Sequence, residues 1–76
     1  MKSLNILLNS IDKVKAFVNI INSYEGDFDF VSDRYLVDAK SIMGIFSLDL
    51  SKPLRLDIHD ASVYGELAAK LESFTA

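Results

Sequence analysis

Three short runs of this chain alternate apolar and polar residues, and that alternation restricts its fold more than any other feature. Leu4, Ile6 and Leu8 alternate with Ser3, Asn5 and Asn9 across SLNILLN, residues 3 to 9, where Leu7 is the one misfit. Asp and Phe alternate through DFDFV at 27 to 31, and Leu54, Leu56 and Ile58 alternate with Arg55 and Asp57 in LRLDI. Successive side chains of a strand point to opposite faces, so each run predicts a strand with one dry and one wet face. Such strands need cover on the dry side only. Helices packed on one face of a sheet make an α+β open sandwich.

The covering helices show their own period. Val14, Phe17, Val18 and Ile21 recur at i, i+3, i+4 and i+7, with Tyr24 one turn later, which predicts an amphipathic helix over 11–23. Ser10 stands at its N-cap and Asp12 in its first turn. Gly26, in Glu25-Gly26-Asp27, is available for a positive φ after the helix. Ser32-Asp33 signals a turn and Tyr35 to Val37 a further short strand, so 27 to 38 predicts a hairpin. KSIMGIFSLD, residues 40 to 49, has the period of a short helix. Pro53 suits the first residue of the next strand, where a ladder donor is least missed. His59-Asp60 closes that strand. Val63, Leu67, Leu71 and Phe74 then form the stripe of a last helix, with Tyr64 and Ala68 beside it. Gly65 weakens its first turns by about 1 kcal/mol relative to Ala. The order is β-α-β-β-α-β-α in one domain, residues 1–76.

Composition narrows the function. The 50% hydrophobic and 25% charged content belongs to a folded chain. With no cysteine there is neither a disulfide framework nor a thiolate metal site. The net charge is -3, and the basic residues are scattered, without the stripe that a nucleic-acid binder needs. No stretch approaches 18 apolar residues, and the N-terminal apolar run is too short for a signal peptide. These features predict a cytoplasmic protein without membrane contact. No cofactor motif occurs. Asp27, Asp29, Asp33 and Asp38 lack the loop glycine and terminal Glu of a calcium loop and read as a solvated face. No base, nucleophile and oxyanion set converges, so no enzyme is expected.

KSIMGIFSL, residues 40 to 48, fits this picture least well. Ile42, Met43, Ile45 and Phe46 point around most of a helical wheel, and Gly44 sits in the middle. Ile45, Leu48 and Leu50 suffice for the core side. That leaves Ile42, Met43 and Phe46 as an exposed patch, and such patches mark interaction sites to which Met adapts well.

The element order, with K-S-I-M-G opening the second helix, resembles the HPr family. These are the histidine-containing phosphocarriers of the bacterial sugar phosphotransferase system. Val37-Asp38-Ala39-Lys40-Ser41-Ile42-Met43-Gly44 aligns without gaps to the family signature, and Tyr24, Ser47-Leu48 and Lys52 follow the family spacing. The resemblance spans nearly the whole chain, with strong identity in the middle third. It implies a four-stranded antiparallel sheet ordered 1-4-2-3 under three helices, and a bacterial, Gram-positive, cytoplasmic source. It also implies that Ser41 is a regulatory phosphorylation site. Lys40, Ile42, Met43 and Phe46 would then meet phosphotransferase enzymes, a serine kinase or a transcription regulator.

The sequence departs from the family where the phosphoryl group is carried. Counting back from Tyr24, Ser10 falls at the place of the acceptor histidine, Asp12 at that of an arginine and Lys13 at that of a proline. A phosphoryl group beside Asp12 meets repulsion instead of a charge-assisted hydrogen bond. The expectation is a binding or regulatory module that does not carry phosphate. Two alternatives stay open: a phosphocarrier that uses His59 (the one histidine) or Ser10, and a homodimer formed through the Ile42-Met43-Phe46 patch.

Overall fold

The computed structural model describes residues 2–33 and 35–76; Arg34, within the predicted hairpin, lies outside the described residues. Four strands, β1 (Lys2–Ile6), β2 (Phe28–Ser32), β3 (Tyr35–Asp38) and β4 (Leu54–Ile58), form one sheet in the order β1-β4-β2-β3. Every neighbouring pair is antiparallel. Helices α1 (Ile11–Asn22), α2 (Ile42–Phe46) and α3 (Tyr64–Lys70) complete the α+β sandwich.

The register converts the sequence alternation into two faces. Leu4, Leu56, Phe30 and Val37 lie opposite one another across the four strands. With Ile6, Phe28, Leu54 and Ile58 they make the inner face, most of it fully buried. Val14, Phe17, Val18 and Ile21 of α1 press on this face, together with Ile45, Leu67, Leu71 and Phe74. Phe17 sits at its centre, 5.1 Å from the Phe30 ring and 6.3 Å from that of Phe74. Offset and edge-on aromatic pairs of this kind contribute beyond their buried area.

Several boundaries are tighter than the sequence predicts. β1 pairs only as far as Ile6, because the chain leaves the sheet to place Ser10 at the α1 N-cap; Leu8 is buried nonetheless. Ser23 ends α1 one residue early, its hydroxyl and its N–H both bonding back to the Ile20 carbonyl. Gly26 takes the expected positive φ, at 105°, and Asp33 turns the hairpin at 51°. α2 covers five residues of the ten predicted. Gly44 weakens it, and the Ser47 hydroxyl bonds back to the Gly44 carbonyl at 2.6 Å. The last helix is flanked by 3₁₀ turns at Ala61–Val63 and Glu72–Phe74, the first of them capped by Asp60. No helix among the described residues is long and apolar enough to cross a membrane.

Candidate functional site: the helix that opens at Ser41

α2 begins in a connected set of local bonds. The Lys40 N–H donates to Asp38 Oδ1 at 2.9 Å, and the Ser41 N–H donates to the Asp38 carbonyl at 3.0 Å. Ser41, extended at φ -92° and ψ 106°, accepts the Gly44 N–H on its hydroxyl at 3.1 Å. This satisfies one of the free donors at a helix start. The Ser41 side chain stays exposed to solvent. Gly44 has a packing reason: a Cβ there would lie 3.3 Å from Ser41 Oγ and 3.4 Å from Val37 Cβ. The glycine therefore lets α2 lie close to β3 and keeps its own cap undistorted.

The apolar residues of α2 divide as follows. Ile45 is buried, and Leu48, two residues past the helix, is nearly so. Ile42 is half-buried and packs against the core, so it belongs partly to the interior. Met43 is 78% exposed and Phe46 42% exposed. The outward apolar surface is thus made by Met43 and Phe46, with Ile42 at its margin. Lys40 is engaged internally: its ammonium donates to the Tyr24 carbonyl at 2.6 Å and lies 5.5 Å from the Phe28 ring centre. It ties the end of α1 to the start of α2.

Ser10 caps α1, its hydroxyl accepting the Lys13 N–H at 3.2 Å. His59 is elsewhere. It follows Ile58, which lies opposite Lys2, whereas Ser10 follows the Ile6 end of β1, which lies opposite Leu54. The two residues are at opposite ends of a five-residue strand, roughly 17 Å long. His59 therefore supplies no base to Ser10, and a hydroxyl without an adjacent base is a poor nucleophile. The His59 Nε2 atom is 2.7 Å from Asp29 Oδ2. Among the described residues no group of three or more ionisable ligands is placed to hold a metal ion, and no pocket opens.

One arrangement has no counterpart in the sequence reading. Asp57, Asp29 and Asp38 lie directly opposite one another on the outer faces of β4, β2 and β3. Like charges placed opposite each other destabilise a sheet. Asp57 is only 6% exposed and accepts from Arg55 Nε–H on Oδ1 at 2.9 Å and from Nη2–H on Oδ2 at 3.2 Å. His59 meets Asp29, and the Lys40 N–H meets Asp38. The R-x-D spacing in LRLDI signals the first of these contacts, since i and i+2 share a strand face. The row itself depends on strand order and register. Away from it, the Ser51 hydroxyl and then its N–H hold the Asp49 carboxyl below its ordinary pKa, and Ser62 does the same for Asp60.

No family model, curated protein or solved structure matches this chain.

Proposed function

We propose that this chain is a binding and regulatory module, HPr-like by resemblance, which docks protein partners through α2 and does not itself carry a phosphoryl group. The observation that supports it is the division of α2. Ile45 anchors the helix in the core, Met43 and Phe46 project outward, and the exposed cap Ser41 lies beside them. An adaptable thioether and an aromatic ring on a short, firmly anchored helix suit a protein contact. At Ser41 a phosphate would sit among the first N–H groups of the helix, which favour negative charge. The phosphotransferase enzymes, a serine kinase and a transcription regulator are the partner classes that the resemblance implies.

The test uses authentic HPr and its serine kinase. Incubation of this chain with kinase and ATP adds one phosphate by intact mass, at Ser41. Unlabelled chain slows phosphorylation of the authentic protein, and Met43→Asp abolishes that competition. Enzyme I with phosphoenolpyruvate adds nothing. Absence of both Ser41 phosphate and competition defeats the proposal. A phosphate on His59 or Ser10 from phosphoenolpyruvate supports the phosphocarrier alternative instead, and a stable dimer that shields Met43 supports the homodimer.

A further inference from the structure

The two edges of the sheet differ. Along β1 the outer edge is occupied at its Asn5 to Leu7 end: the Leu7 N–H donates to the Phe74 carbonyl at 2.8 Å, Thr75 bridges Ile6, and the Ala76 N–H donates to the Asn5 carbonyl at 3.0 Å. Among the described residues β3 has β2 on one side and no strand on the other. The Ala39 N–H bonds the carbonyl of Phe28, the next residue pair along from Asp38 and Asp29, at 2.8 Å. That bond sets the alternation: Tyr35, Val37 and Ala39 turn their backbone groups toward β2, whereas Leu36 and Asp38 turn theirs outward. The Asp38 carbonyl is taken by Ser41. The Leu36 N–H and carbonyl and the Asp38 N–H remain directed outward at the edge. Beside them Leu36 is 67% and Tyr35 66% exposed, and Val31 lies opposite Leu36 on the outer face. Exposed edges are usually blunted by Lys, Pro or a bulge, and YLVD at 35–38 contains neither Lys nor Pro.

Charge selects the occupant. Residues 25–38 contain Glu25, Asp27, Asp29, Asp33 and Asp38 against one cation, Arg34. Asp29 meets His59, while Asp27, Asp33 and Asp38 form no ion pair among the described residues. A second copy would bring the same excess of carboxylates over residues 25–38 to this edge, which a basic segment would not. We propose that the β3 edge accepts an extended, basic segment of a partner protein as a fifth strand. Its main chain bonds Leu36 and Asp38, an apolar side chain covers Leu36 and Val31, and flanking lysines or arginines meet Asp33 and Asp38.

The probe is the seven-residue peptide Thr-Lys-Thr-Val-Thr-Lys-Thr, whose central valine and two lysines share one strand face as Leu36 and Asp38 do, titrated into the isotopically labelled chain at low salt. Expected shift changes centre on residues 35–38, and the Leu36 and Asp38 amides exchange more slowly. A proline at the middle of the peptide, or glutamate in place of every lysine, weakens binding at least about tenfold, the equivalent of 1.4 kcal/mol. In the protein, Leu36→Pro removes an outward N–H without touching the β2 ladder and produces a similar loss. Leu36→Lys serves if the proline variant fails to fold. Equal binding of the proline-interrupted peptide, shifts centred on α2, no binding at millimolar peptide, or self-association of the chain in place of peptide binding each overturns the proposal.

Discussion

Met43→Asp separates an outward from an inward reading of α2, and the expected cost can be worked from exposure. Full burial of a methionine is worth about 1.5–3 kcal/mol. With 78% of Met43 exposed, only about a fifth of that, roughly 0.3–0.7 kcal/mol, is at stake. Aspartate is a poorer helix former than methionine, by at most about 0.7 kcal/mol. A carboxylate in the first turn returns about 0.3–1 kcal/mol through the helix dipole. The terms nearly cancel, so Met43→Asp leaves stability within about 1 kcal/mol of the parent. Ile45→Ala, two residues on and fully buried, costs about 2–5 kcal/mol. Urea unfolding resolves this difference: with a slope near 1 kcal/mol per molar for a small domain, the midpoints should differ by more than about 1 M. A loss of 2 kcal/mol or more in Met43→Asp would refute the outward placement and remove the basis for docking through this helix.

Two glycines of the helical segments should respond to alanine to different degrees. Nothing lies within 4 Å of a Cβ at Gly65, so Gly65→Ala raises the unfolding free energy by about 0.5–1 kcal/mol. Gly44→Ala presses on Ser41 Oγ and Val37 Cβ and gains less than Gly65→Ala in the same thermal melt. Arg55→Met leaves the buried Asp57 carboxylate without its bidentate partner and opposite Asp29, and destabilises by about 1.5–3 kcal/mol. Adding Asp57→Asn recovers part of that loss, as a double-mutant cycle in urea would show. Because Ser62 lowers the folded pKa of Asp60, the Asp60 cap stabilises the fold above the ordinary carboxylate pKa of about 4, and this contribution fades as pH falls through the lower folded value. The difference in stability between parent and Asp60→Ala therefore narrows below pH 4.

The faces of this sheet were legible in the sequence because a strand's period is two. Leu54, Leu56 and Ile58 could only share a side, and each is buried. The resemblance supplied the strand order that periodicity alone could not. Helix lengths were less legible, because they depend on local back-bonding. The hydroxyl of Ser47 closes α2 and that of Ser23 closes α1, whereas hydrophobic period alone would carry both helices further. The α2 surface was half legible: Met43 and Phe46 project outward, but Ile42 leans into the core and Lys40 reaches the Tyr24 carbonyl. Spacing along one helix says nothing of what the next element offers a side chain.

Register was the least visible property, and it controls the outer face. Asp29, Asp38 and Asp57 are separated by 9 and 19 positions in the sequence. They become cross-strand neighbours only because β2 lies between β3 and β4 in this alignment. A slip of one residue would move every polar residue of a strand to the core side. The inner face therefore excludes a slip even though the correct register sets three carboxylates in a row. Burial of Phe28, Phe30, Leu56 and Ile58, each worth about 1.5–3 kcal/mol, outweighs the repulsion. Arg55 and His59 then act locally on a charge pattern that the core imposed, and Asp38, at the open edge, is left with a backbone hydrogen bond but no cation among the described residues. The same competition that selects the register thus places Asp38, without a cation among the described residues, at the β3 edge proposed to accept a partner strand.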